Sequence, residues 1–485
     1  MPDDRVLVPG HTCWRVERAE RFAHIVDGAD YFRHVKAALL RARRRIILIG
    51  WDFDSRTALE RGDRTLAGPN QLGALLYWLL WKRTELDVHV LKSNLRLLPA
   101  FDDLWYGLTP VGLVNRLSSS RIHLAVDGAH PTGAVHHQKI VVVDDAVAFC
   151  GGIDMTLDRW DTTAHADADR GRRTLGRGYG PRHEVAVAVD GAAARALAEI
   201  ARERWRTATG QALAPLEVAH STWPRGLDPD LRAVEVGVAR TMPPLESQRE
   251  IREIEALNLA AIAAARQVIY LENQYLASRT VVDALAARLA EPHGPEVVIV
   301  IPRRSESRLE QESMDSARQR LLHRLWEADA HSRLGVYWPV TDGGTPIYVH
   351  SKVLVVDDVL LRVGSSNLNN RSMGFDSECD VAIEAAHDSS AGGDVRTVVR
   401  SVRRGLICEH LGVTVDEFEQ RVRDGGSILS AIEDLRGEGR TLRPFTEDTV
   451  AGEAGPLAEN ELMDPDRVPR SLTSALRRLI AGLTR

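Results

Sequence analysis

The chain has 485 residues, 44% of them apolar and 27% charged, with a formal net charge of −6 at pH 7. That length exceeds one ordinary domain and suits two lobes plus extras, and the apolar fraction is that of a globular protein. The acidic balance removes any general electrostatic reason to bind nucleic acid or an anionic membrane. No apolar run reaches the roughly 18 residues of a spanning helix. The start, Met1-Pro2-Asp3-Asp4-Arg5-Val6, lacks the basic and apolar regions of a signal peptide. Cys13, Cys150, Cys379 and Cys408 form no close-spaced pair, so a reducing, cytoplasmic setting is expected, with Cys150 as a small core residue.

In chain order, residues 27–45 read as an amphipathic helix (Tyr31, Val35, Ala38, Leu39) feeding a strand at 46–49 and then Trp51-Asp52-Phe53-Asp54. A helix at 72–83 and a strand at 88–91 follow, then apolar strands at 140–143 and 185–189. Residues 214–230, punctuated by Pro215, Pro224, Gly226 and Pro229, read as a linker. The plan then repeats: helix 251–266, strand 268–271, helix 281–289, and strands 297–301, 353–356 and 381–384. Helices alternating with apolar strands predict an α/β fold of two tandem α/β/α lobes related by a pseudo-twofold, with a site at their interface. The expected division is 1–213, a linker at 214–230, 231–420, and a C-terminal extension at 421–485. Two polar stretches, 162–180 and 303–318, are expected to be lids or ordinary surface loops. Residues 437–466 read as a poorly structured wrap. Residues 467–485 read as a basic amphipathic helix, with Leu472, Leu476, Leu479 and Leu483 opposite Arg470, Arg477 and Arg478; it either docks on the core or lies at a membrane interface.

One pattern, His-x-Lys-x4-Asp, occurs twice: His137, Lys139 and Asp144, then His350, Lys352 and Asp357. The chain has only five lysines, and two of them stand in these copies. His and Lys are two apart on a strand, so both side chains leave one face. An imidazole beside a fixed cation suits an anionic substrate, and the cation disfavours a divalent metal there. The Asp comes at the strand end and is expected to brace the turn. Gly151-Gly152-Ile153-Asp154 follows the first copy and Gly364-Ser365-Ser366-Asn367 the second, where small residues permit close approach to an anion. Two such histidines can flank one phosphate, one attacking and the other protonating the leaving oxygen.

The paired motif resembles the signature of the phospholipase D superfamily. The resemblance extends to Gly151-Gly152-Ile153-Asp154 with Arg159-Trp160-Asp161, to Tyr270-Leu271-Glu272-Asn273-Gln274-Tyr275, and to Asn369-Asn370-Arg371-Ser372 with Asp376-Ser377-Glu378. These segments resemble the phospholipid-cleaving branch more than the nuclease branch, and the match runs from about residue 25 to 415. It implies two phospholipase D-like lobes and a phosphodiester exchange through a phosphohistidine, without metal or cofactor, on a phospholipid at a membrane surface. Hydrolysis to phosphatidic acid is expected, with transphosphatidylation as a further outcome; the alternatives are a cardiolipin synthase-like transferase and a nuclease-type enzyme. The absence of a basic, aromatic-interleaved groove argues against nucleic acid.

By family precedent His137 is the nucleophile and His350 the general acid/base, an assignment the near-symmetry leaves reversible. The resemblance gives Lys139, Lys352, Asn367 and Ser365 to the phosphate oxygens, and Glu272 and Asn273 either to substrate or to tying the lobes. Glu378 is expected behind His350 and Glu184 behind His137, each setting an imidazole tautomer. Asp154, which would repel phosphate, is expected to pair with an arginine or a backbone turn. Arg182 stands where several relatives carry Trp, and His136, on the opposite strand face, reads as structural.

Overall fold

The computed structural model describes residues 5–453, apart from 63, 95–104, 107–108, 111–118, 175, 218–219, 246–247 and 387–389, together with 464, 465 and 467. The β-branched runs Ile140–Val143 and Val353–Val356 are buried throughout, as strands covered on both faces must be. They belong to one sheet, sixteen-stranded among the described residues. Its first half holds β1 (Arg15–Val26), β2 (Arg45–Gly50), β3 (Asp87–Ser93), β4 (Ile122–Asp127), β5 (Ile140–Val143), β6 (Val147–Gly151) and β7 (Val185–Asp190), in the order β4-β3-β2-β5-β6-β7-β1. The second half holds β8 (Leu231–Met242), β9 (Val268–Glu272), β10 (Glu296–Val300), β11 (Leu334–Val340), β12 (Val353–Val356), β13 (Leu360–Gly364) and β14 (Glu378–Glu384). Its order, β11-β10-β9-β12-β13-β14-β8, repeats the same plan. β1 and β8 pair antiparallel from Arg15↔Val238 to Phe22↔Leu231, and this pair joins the halves at a pseudo-twofold.

Helices cover both faces. On one face of the first half, α1 (Asp27–Leu39) and α2 (Leu72–Lys82) bury Phe32, Val35, Leu75 and Leu79 against Val141 and Phe149. On the corresponding face of the second half, α4 (Glu253–Ala264), α5 (Arg279–Leu289) and α6 (Ser316–Ala328) bury Leu257, Leu285 and Leu322 against Ile269 and Leu354. The opposite face carries α3 (Gly191–Thr209) and α7 (Ser390–Leu411). There one core continues across the halves, from Val187, Leu197 and Trp205 to Val238, Val363, Val381 and Leu406.

The motif aspartates close the hairpins that follow the motif strands. Asp144 and Asp145 have φ of 55° and 53°, and Asp357 and Asp358 have 52° and 53°. Two successive positive φ values turn the chain tightly, with the Ala146 N–H donating to Val143 O and the Val359 N–H to Val356 O, and three residues separate the paired strand ends. Asp144 accepts the N–H groups of Arg43, Arg44 and Arg45 at 2.7–2.8 Å; Asp357 accepts those of Arg266, Gln267 and Val268 at 2.6–2.8 Å. Both therefore hold the backbone that leads into the neighbouring strand.

Two expectations need correction. Residues 303–318 are largely helical: Ser307 forms a capping box at Arg308–Glu310, and the turn runs on into α6. Residues 437–466 are not merely a wrap, because Thr441–Pro444 adds an edge strand antiparallel to β11 and Glu447–Val450 forms a helical turn. The stretch 162–180 is largely exposed among its described residues, as a surface loop, and is anchored by buried His165 and Arg172 on Asp161. The amphipathic pattern at 467–485 lies, Arg467 apart, outside the described residues. Among the described residues no helix is long and apolar enough to cross a membrane.

Candidate active site

Short extended segments cross between the lobes and decide which carboxylate meets which histidine. The His137 N–H donates to Ser377 O at 2.9 Å, and the His350 N–H donates to His183 O at 2.8 Å. The residues after those two carbonyls are Glu378 and Glu184. Accordingly His137 Nδ1 lies 3.0 and 3.1 Å from the Glu378 carboxylate oxygens, and His350 Nδ1 lies 2.8 Å from Glu184 Oε1. This reverses the expected pairing. The reason is backbone registry across the pseudo-twofold: each motif histidine docks beside the other lobe's carboxylate. With Nδ1 turned to a carboxylate, Nε2 is the nitrogen each ring offers to a substrate.

Both lysines curl back onto their own motif. Lys139 Nζ is 3.0 Å from His137 O and 3.1 Å from Asp154; Lys352 Nζ is 2.6 Å from His350 O and 3.2 Å from Gln274 Oε1. Asp154 therefore pairs with a lysine rather than an arginine, and it also caps the Trp51 N–H at 2.8 Å. Gly152 fills a position where a Cβ would lie 2.9 Å from both Glu184 Oε2 and His350 O, so close approach of the lobes needs glycine there. Asn367 is buried and its side-chain oxygen has no protein partner, which leaves it hydrogen-bonding capacity for a ligand.

Ser365 is displaced from its expected role. Its hydroxyl donates to Glu378 at 2.5 Å and accepts the Cys379 N–H at 3.0 Å, and Ser372 donates to Glu378 at 2.6 Å. Both hydroxyls brace the carboxylate. Glu272 ties the lobes, whereas Asn273 braces segments within the second lobe. Glu272 is fully buried on His183 and His410, each at 3.0 Å, and on Ser351 at 2.7 Å. Asn273 Oδ1 accepts the Leu368 N–H at 2.9 Å. His136, 2.6 Å from Ser377 Oγ and 3.2 Å from Asp127, is structural as expected. Arg182 stacks over Tyr348 at 4.7 Å and pairs with Glu306.

Burial, then the two motif lysines, presses the His137 imidazole well below its usual range; burial, then Lys352 and Arg182, does the same to His350. Burial pushes Glu184 up to about 7 and Glu378 up to about 8, against nearby cations and the serine hydrogen bonds respectively. A carboxyl pushed up beside an imidazole pushed down holds one proton that belongs to the pair. Such a pair can give or take a proton near neutral pH. Burial also pulls Lys352 down to about 7.

The sequence offered no sign of the buried cluster behind this site. Asp27, His165, His183 and Glu409 meet there from four separate segments, with Glu272 and His410 adjoining. Burial opposes charge on His165, yet Asp27, then Asp161 and Glu409, hold it up to about 9.

Fold and site together define a duplicated α/β protein whose two His–Lys motifs converge at one interface. Residues 259–391 match the domain described as "Cardiolipin synthase, PLD-like domain". Phospholipase D1 of Schizosaccharomyces pombe is 23% identical over 86% of this chain and 38% of that protein. Phospholipase D alpha 4 of Arabidopsis thaliana is 24% identical over 81% of this chain and 65% of that protein. The chain thus spans between about a third and two thirds of the length of these curated relatives. The phosphatidylserine synthase structure of Haemophilus influenzae Rd KW20 shares the fold, with a TM-score of 0.51 at 13% identity, over 80% of this chain and 87% of that one. In sequence the chain is thus similar to phospholipase D proteins, and residues 259–391 to a PLD-like domain.

Proposed function

We propose that the protein is a phospholipase D-type phosphodiesterase that cleaves the headgroup of a glycerophospholipid at a membrane surface through a covalent phosphohistidine. The observation that carries this reading is the pair of crossed His–Glu couples, each with its own lysine, at one interface. His137 Nε2 attacks phosphorus; the P–N bond forms as the bond to the headgroup oxygen breaks, and the His350–Glu184 couple gives its proton to that oxygen. Water or an alcohol then attacks phosphorus, the P–N bond breaks, and the incoming proton returns to the same couple. Lys139 and Lys352 neutralise charge on the phosphoryl oxygens, with Asn367 as a further contact.

The asymmetry of the couples supports this division of labour. Glu378 is held by two serine hydroxyls, which fixes His137 for in-line attack, whereas neither Glu184 oxygen accepts a hydrogen bond and its 2.8 Å contact with His350 is an ion-pair distance alone, so that couple is freer to exchange a proton. The description of the matched domain favours a second reading, transfer of the phosphatidyl group to a lipid alcohol. One experiment addresses both: mixed phospholipid vesicles with a primary alcohol, followed by mass spectrometry. Phosphatidic acid and phosphatidyl-alcohol are expected, with His137→Ala slower by on the order of 10³-fold or more. Full turnover in that variant would overturn the mechanism, and no lipid product would overturn the substrate class.

A further inference from the structure

The buried cluster at Asp27, His165, His183 and Glu409 takes no part in the phosphodiester chemistry. We propose that these four residues form a structural site for a zinc-class transition-metal dication, bound by two imidazole nitrogens and two carboxylate oxygens. His183 Nδ1 lies 3.0 Å from Glu409 Oε1 and 3.3 Å from Asp27 Oδ1; His165 Nε2 lies 3.1 Å from Glu409 Oε1 and 3.5 Å from Asp27 Oδ2. A tetrahedral zinc ion about 2.0–2.1 Å from each donor has ligand-to-ligand edges of about 3.4 Å. The four imidazole-to-carboxylate distances, counting either Asp27 oxygen, are close to that spacing, and all the donors lie within 4.8 Å of one another.

The far side of each ring carries the independent sign. His165 Nδ1 is 2.9 Å from Asp161, and His183 Nε2 is 3.0 Å from Glu272. A carboxylate on the second ring nitrogen is what fixes the tautomer and orientation of a metal-bound imidazole. Asp27 Oδ2 is buried with no hydrogen-bond partner and points into the cluster. Four carboxylates (Asp27, Asp161, Glu272, Glu409) gather here around the two rings, with Arg172 on Asp161 and Arg440 4.0 Å from Glu409, so a dication held by neutral imidazoles would stand in for the two ring protons that otherwise balance this buried charge. Two imidazoles among the donors favour zinc and its late first-row neighbours over magnesium or calcium.

The donors come from the start of α1, the 162–180 stretch, the segment before Glu184, and α7 of the other lobe. An ion here would clamp the lobes directly behind one catalytic couple, because His183 also receives the His350 N–H. The inference stands on this cluster alone and not on the lipid reaction.

Metal content and melting test it without reference to activity. Protein purified without chelator should carry about one zinc per chain by elemental analysis, and Glu409→Gln and His165→Asn should each lower this at least tenfold. Protein stripped of metal should gain several degrees in Tm on adding Zn2+, and Co2+ should give the strong visible absorption of a four-coordinate ion. Glu409 is partly exposed, so its isosteric Gln variant stays informative if His165→Asn fails to fold. Metal-free protein whose melting ignores both Zn2+ and chelator would overturn the proposal and leave the cluster a set of imidazolium–carboxylate pairs. Lipid turnover with no bound zinc would defeat this site and spare the phosphodiesterase reading; the reverse result would do the opposite.

Discussion

Glu184 and Glu378 are fully buried, and their raised pKa values say that the fold resists their charge. Their retention is explained by what they do to the imidazoles. Gln at either position keeps the shape, removes the charge and spoils the proton-sharing couple. Each variant should lower kcat by on the order of 10²–10⁴-fold, while stability holds or rises. The pH dependence has a definite sign. The folded carboxyls bind protons up to about 7 and about 8, whereas the unfolded ones release theirs near 4.5. The stability they contribute is therefore complete below about 4.5 and lost as pH rises through 7–8. Denaturant titrations at pH 5 and pH 9 should show the Gln variants gaining on the wild type at the higher pH. A variant less stable at pH 9 with unchanged kcat would refute the couple. At this scale the histidines and lysines were legible because a rare residue recurs at fixed spacing. The partners were not: the crossing of Glu184 and Glu378 depends on backbone registry between segments some two hundred residues apart. Ser365 misled for a related reason, since a small residue beside a glycine turn can face an anion or brace a carboxylate equally well.

The motif aspartates act through the elements they terminate. Asp144 is buried and receives three backbone N–H groups in a half-buried setting, while two of the three on Asp357 lie in exposed surroundings. Asp144→Ala should cost about 2 kcal/mol and Asp357→Ala about half of that, because water can replace the lost acceptor at the second site. Neither should change kcat below its own melting range. Urea denaturation beside turnover checks this, and a large fall in kcat at intact stability would return these residues to the chemistry. The buried apolar strands were readable from their β-branched runs. β1 and β8, the pair joining the halves, were not: Arg15, Glu17, Arg18, Glu20 and Arg21 break the alternation that marks a strand in β1, and a residue with positive φ, Ala233, interrupts it in β8. The edge strand Thr441–Pro444 has four residues and one proline, too little for a periodic signal, and it forms only because β11 offers an open edge.

Symmetric scaffold and asymmetric chemistry meet at the level of the whole molecule. The strand order repeats, and so does the backbone-bracing aspartate, yet Gly152 stands where the second copy has Ser365, Asp154 where it has Asn367, and the two catalytic carboxylates have different support. Duplication would tolerate two independently stable lobes joined by a linker. The central β1–β8 pair and the core running from Leu197 and Trp205 to Val363 and Leu406 argue instead for one cooperative unit. A shared core and a shared sheet mean that opening either lobe exposes apolar surface of the other. Each His–Glu couple also takes one member from each lobe, so separating the lobes dismantles both couples at once. Urea unfolding followed by tryptophan fluorescence, far-UV circular dichroism and residual turnover should therefore give one coincident transition. Turnover lost well before the spectroscopic signals would mean that the lobes part while still folded. Two spectroscopic transitions would mean that the continuous sheet does not couple them.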